Sequence, residues 1–97
     1  MACIRRRKYA TAIESFDQAL GHEPGSIEAL LGRGNALYAL ERYDEALAAY
    51  DRAVESAPDS PAPHMAHSNA LTALGRKDEA AAAFARAMDL RHRPERG

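Results

Sequence analysis

Residues 30–58 read LLGRGNALYALERYDEALAAYDRAVESAP, and their pattern decides the fold. Leu30, Gly34, Leu37 and Leu40 recur at intervals of four, three and three, which is one face of a helix over 26–40. Tyr43, Ala46, Leu47, Tyr50, Ala53 and Val54 repeat the same intervals over 43–56. Only Glu41-Arg42 separates the two segments, a connection that suits an antiparallel helix pair. Ser26 stands where a hydroxyl can accept from an orphan helix N–H, and Ser60 does the same for the next segment. Pro61 follows Ser60 at the first helical position, where its missing N–H costs nothing. Pro24 and Pro58 end the preceding helices, because proline turns the residue before it away from helix. Gly75 occupies the later inner turn and is free to take a positive φ.

Working outward from this stretch, the pattern recurs every 34 residues. Ala12, Ala46 and Ala80 form one column, and Ala19, Ala53 and Ala87 another. Phe16, Tyr50 and Phe84 form a column that is aromatic throughout. Tyr9 matches Tyr43, Pro24 matches Pro58, and Asn35-Ala36-Leu37 matches Asn69-Ala70-Leu71. Leu40 matches Leu74, and Asp44-Glu45-Ala46 matches Asp78-Glu79-Ala80. Small residues beside a column of aromatic knobs let helix backbones approach closely, and repetition of that contact stacks helices into a solenoid.

Composition fits. The 97 residues are enough for one small domain. Of the residues counted as hydrophobic, 46% of the chain, 22 are alanine and none is Trp, which favours helix over sheet. A net charge of −1 lacks the cationic excess of a nucleic-acid binder. The single Cys3 supplies neither an internal disulfide nor a cysteine metal site. No apolar run is long enough to span a membrane, and Met1 to Lys8 lacks the apolar core of a signal peptide. The expected location is therefore cytoplasmic.

These residues resemble the tetratricopeptide repeat family, whose unit is a helix–turn–helix of about 34 residues. The second unit carries the pattern on Leu30, Gly34, Leu37, Tyr43, Ala46, Tyr50, Ala53 and Pro58. The third carries it on Ala70, Leu71, Gly75, Ala80, Phe84 and Ala87, and the first on Tyr9, Ala12, Phe16, Ala19 and Pro24. The resemblance implies an all-α, right-handed solenoid of about two and a half units and five helices. It divides the chain into a half repeat (1–25), two full repeats (26–59 and 60–93) and a tail (94–97). Met1 to Arg6 falls where a short stub of the missing first helix is expected. The third unit departs most from the pattern, with His64, His67, Ser68, Lys77 and His92 at positions that favour other residues, and is expected to be the least stable. Arg33 stands at a usual Leu position.

The resemblance further implies a concave groove lined by the first helix of each unit. The matching positions are Glu28, Leu31, Asn35 and Tyr38 in the second unit and Ala62, Met65, Asn69 and Thr72 in the third. These residues lie off the main packing stripe. Leu31, Tyr38 and Met65 are apolar without an evident place in the inter-helix core, as a peptide site requires. Asn35 and Asn69 can each donate to and accept from an extended backbone. The subtype that clamps a chaperone tail's C-terminal carboxylate is not expected, because Gly32, Ala62 and Ala66 replace its Asn, Lys and Arg. Without groove cations, binding there should respond weakly to salt.

Other constellations read as structural. His64 and His67 share a helix face but have no third metal ligand at helical spacing. Buried and neutral, they would make the third unit fray first near pH 5. Arg5-Arg6-Arg7-Lys8 reads as a solvated helix end, and Arg91, Arg93 and Arg96 as a basic tail. No nucleophile, base and orienting group fall on one face of a unit, so no enzyme is expected. The reading is a protein-interaction scaffold with no cofactor and no metal, taking a protein or peptide as partner rather than nucleic acid or membrane. One alternative is a homo-oligomer assembled through uncapped ends. The other is an RNA-binding helical repeat, disfavoured by the 34-residue period and by groove positions without Lys or Arg.

Overall fold

The computed structural model describes residues 2–92. Five helices follow one another: α1 (Ala2–His22), α2 (Ile27–Ala39), α3 (Tyr43–Ser56), α4 (Pro61–Ala73) and α5 (Lys77–His92). Each packs on its neighbours in the chain, and α2 also touches α4. Contacts confined to adjacent units are the signature of a helical repeat solenoid. The shape agrees, at 45 × 33 × 19 Å. The short dimension is about two helix diameters.

Three leucines form the centre: Leu30, Leu37 and Leu71 are all but fully buried. Around them Ala46, Ala53, Ala70 and Ala87 have no exposed surface. The inner turns match across units. Glu41 (φ 63°) and Gly75 (φ 78°) each take the left-handed conformation that reverses the chain between paired helices. In both turns the next N–H bonds back into the helix just ended, Arg42 to the Leu37 carbonyl and Arg76 to that of Leu71, each at 2.9 Å.

Three expectations need correction. First, Ala2 to Arg6 is not the stub of a separate helix, because α1 runs unbroken from Ala2 to His22. No Gly or Pro interrupts Arg5-Arg6-Arg7-Lys8, and no large apolar residue there draws the chain into a turn. All four basic side chains are exposed, as a solvated helix end should be. The Cys3 side chain, Arg93 and Arg96 lie outside the described residues.

Second, the two serine caps are unequal. Ser26 Oγ accepts from the Ala29 amide at 3.3 Å, whereas the Ser60 hydroxyl makes no capping bond. The reason is local. Ala29 is the third residue of α2, and its counterpart in α4 is Pro63, which has no N–H to give. Ser26→Ala is therefore expected to cost about 1 kcal/mol and Ser60→Ala only a few tenths. Equal shifts of the two urea midpoints would contradict this.

Third, the histidines are not buried. Both are half-buried, with His64 Nε2 2.8 Å from the Pro58 carbonyl and His67 Nε2 2.8 Å from Asp51 Oδ1. Each ring thus faces a polar partner rather than an apolar wall. The basis for selective fraying of the third unit near pH 5 is therefore absent. The two rings also serve different partners.

Candidate functional site

The four α2 positions expected to line a groove recur at helical spacing, and α4 lies alongside. Their environments differ more than their spacing implies. Glu28 is exposed in the first turn of α2, where a carboxylate suits the positive end of the helix dipole. Leu31 is half-buried and packs against the core, so only part of it is offered to a ligand. Tyr38 is 36% exposed, and its ring meets Tyr43 edge-on with centroids 5.1 Å apart. The Tyr43 ring thus sets the orientation of Tyr38.

Asn35 is exposed but not free to turn. Its Oδ1 accepts from the Tyr50 hydroxyl at 2.5 Å, which fixes the amide and leaves the NH2 group as donor. Tyr50 itself is 2% exposed. Burial, and secondarily the neighbouring Tyr38 hydroxyl, push its phenol up to about 12. It remains a hydrogen-bond donor to Asn35 across the neutral range.

In the third unit Phe84 replaces Tyr50, so Asn69 has no hydroxyl to hold it in that way. Thr72 Oγ1 donates to the Ser68 carbonyl one turn back, at 3.0 Å. Asn69 and Thr72 border a cleft of about 340 Å³ together with Lys77 and Phe84. The second unit fills this region with the Tyr38–Tyr43 pair. Here Thr72 and Lys77 stand at those two positions, and the space is open. Met65 lies elsewhere on α4, in a cleft of about 310 Å³ with Pro61, Ala62 and Arg91. The expected surface thus divides into an α2 part and two α4 parts, and each α4 part carries a cation that the groove positions lacked, Lys77 in one and Arg91 in the other.

The role of Lys77 was legible as a departure from the tyrosine column. That of Arg91 was not, because it comes from a different helix, 26 residues along the chain from Met65.

Burial down the aromatic column shows how each unit is covered. Tyr50 sits against Gly34 of its own unit, and a Cβ there would run into its ring. Phe16 packs on Gly32 of the following unit, with the same consequence for a Cβ. Phe84 has Ser68 of its own unit beside it but is 47% exposed. Ser68 tolerates its side chain because Oγ donates to the Ala80 carbonyl at 2.9 Å.

Among the described residues no helix is long and apolar enough to cross a membrane, and no three His, Cys, Asp or Glu side chains gather as a metal site.

The sequence profile of the tetratricopeptide repeat family matches residues 4–61, and a second profile of that family matches residues 41–95. A search of curated protein sequences finds no match. Solved structures resemble the chain. The MSR-1 form of MamA superposes with a TM-score of 0.82 at 27% identity, covering 89% of this chain and 49% of that one. An AMB-1 form of MamA gives 0.79 at 28% identity, covering 86% and 49%. The chain spans about half the length of these MamA structures.

Proposed function

The chain belongs to the tetratricopeptide repeat family, a protein-interaction scaffold, and we propose that it binds an extended peptide segment along the adjacent faces of α2 and α4. One observation carries this reading. The Asn35 amide is held by a buried tyrosine, with its donor side left to a ligand, beside the half-exposed Leu31 and Tyr38. An extended peptide needs such a donor for its carbonyls and apolar surface for alternate side chains. Because the donor is already fixed by packing, little receptor ordering is lost on binding. Asn69, Thr72 and Met65 continue the surface on α4, and Glu28 begins it.

The test uses Tyr38→Ala combined with Asn69→Ala, both exposed positions, so that the fold survives. A partner captured by the wild-type chain should lose about tenfold or more in affinity, the loss typical of truncating a central aromatic contact. Undiminished binding by a variant with unchanged melting behaviour would sink the groove reading. Groove affinity should fall only modestly at high salt, since among the described residues only Lys77 and Arg91 of the cations line the clefts that these residues border.

The exposure of Phe84 favours a second reading, self-association through the α4–α5 face. Sedimentation across a concentration series distinguishes them. A constant monomer mass would exclude self-association, and a mass that rises with concentration and reverts in Phe84→Ser would support it.

A further inference from the structure

A cleft of about 440 Å³, apart from those beside α4, lies where α1, α2 and α3 meet. Leu30 and Ala49 are buried in its wall and Leu20 is half-buried, while Asp17, Arg33 and Arg52 surround them. At about 100° per residue, Arg33 lies roughly 140–160° around α2 from Glu28, Leu31, Asn35 and Tyr38, so this is not the groove. The arginine at a position that usually packs a leucine is what gives the cleft its charge.

The local structure uses only part of that charge. Arg33 Nε donates to Asp17 Oδ1 at 2.6 Å, and Arg52 Nη2 donates to the Pro24 carbonyl at 3.1 Å. Both Nη groups of Arg33, and Nε and Nη1 of Arg52, have no acceptor among the described residues. Two guanidiniums against one carboxylate leave one net positive charge beside apolar walls, which matches a monoanion with an apolar neighbour.

A similar cleft recurs one unit later, at about 420 Å³, with six of the eight lining positions advanced by 34 residues, among them Val54 for Leu20, His64 for Leu30, His67 for Arg33, and Arg86 for Arg52. The contact across the helices is repeated as well, as His67 Nε2 with Asp51 Oδ1. Charge is not repeated. Glu79 lines the second cleft, and Arg86 is 3.8 Å from Asp89. Apolar surface therefore continues along the seam, while among the described residues uncompensated positive charge sits at its α1–α2–α3 end. A ligand chain that passes through the first cleft has a second to lie in, which favours a side-chain carboxylate over a chain terminus.

We propose that the Arg33–Arg52 cleft binds a glutamate or aspartate side chain of an extended partner segment, with the neighbouring apolar residues of that segment seated on Leu20, Leu30 and Ala49. The inference does not depend on the groove reading, because the two surfaces share no residue.

The experiment titrates the full chain with acetyl-Leu-Glu-Leu-amide, followed by backbone amide NMR. Acetyl-Leu-Gln-Leu-amide and acetyl-Leu-Gln-Leu with a free C-terminus are run beside it. The glutamate peptide should move the amides of Gly21, Ala48 and Ala49 and bind about fivefold or more tightly than either control. Arg33→Gln with Arg52→Gln, both on exposed hydrogen bonds, should abolish that difference while the helical signal is retained. Raising salt from about 0.05 M to about 0.5 M should weaken the glutamate peptide several-fold. The proposal is overturned by equal binding of the amide control, by tighter binding of the free terminus, by indifference to the double variant, or by shifts centred on Leu31 and Tyr38. The first and third of these results would mean that the arginines only tie α1 to α2 and the α1–α2 loop to α3.

Discussion

Tyr50→Ala is expected to remove about 3–5 kcal/mol of stability, the range for deleting a buried aromatic ring. Phe84→Ala, in the same column, should cost only about 1–2 kcal/mol, in proportion to its smaller buried area. The difference comes from coverage. Tyr50 belongs to the core cluster that also takes in Leu37 of α2 and Ala70 and Leu71 of α4, and is 2% exposed, whereas Phe84 is 47% exposed. A chain of this size holds roughly 5–15 kcal/mol in total, so the Tyr50 variant should melt about 15–30 °C lower. Equal losses at the two positions, by urea denaturation, would contradict the packing described.

Tyr50→Phe separates the ring from its hydroxyl. It should cost only about 1 kcal/mol near neutral pH, the value of one hydrogen bond, since Asn35 is exposed and can turn to water. Its alkaline behaviour should differ. The phenol titrates near 10.0 when unfolded and about 12 when folded, so the folded chain holds its proton longer. That contribution is fully present below pH 10 and is lost as pH rises towards 12. It amounts to roughly 2–3 kcal/mol, and the Phe variant should lack this part of the alkaline loss. Parallel stability curves for the two proteins between pH 10 and 12 would exclude the effect.

What was legible in the residues, and what was not, follows the same division between local and between-unit physics. Helix order, inner turns and the Ser26 cap depend on residues a few positions apart, and the 34-residue period carries them through the chain. The Ser60 cap failed for an equally local reason, the proline two places after Pro61, which could have been read. The α1 helix runs on through Arg5-Arg6-Arg7-Lys8, which holds no Gly or Pro to break it, whereas the repeat alignment implies a boundary there. The histidines escaped because Asp51 and the Pro58 carbonyl come from α3 and the loop after it. The Asn35–Tyr50 bond, which holds the donor of the proposed groove, spans two helices. Only the Tyr-to-Phe change along the aromatic column hinted that Asn35 and Asn69 are not equivalent.

The small-residue column permits a second test of that distinction. Ala53→Leu and Ala19→Leu are the same change at the same repeat position. Ala53 has no exposed surface on α3, which packs on both α2 and α4, and Ala19 is exposed on α1. A leucine at 53 must displace a backbone or force neighbours from their rotamers. The expected cost is about 1–3 kcal/mol, with the upper end favoured since three extra heavy atoms enter a site with no void. At 19 the same side chain extends into solvent on a helix that welcomes leucine, so the change should stay within about 0.5 kcal/mol. Ala87, which is also fully buried, should behave like Ala53 rather than like Ala19. The ordering therefore tests whether the column acts through close approach of the paired helix or through alanine's helix propensity alone. Propensity is the same at all three sites and would make the three variants alike, whereas packing separates Ala19 from the other two.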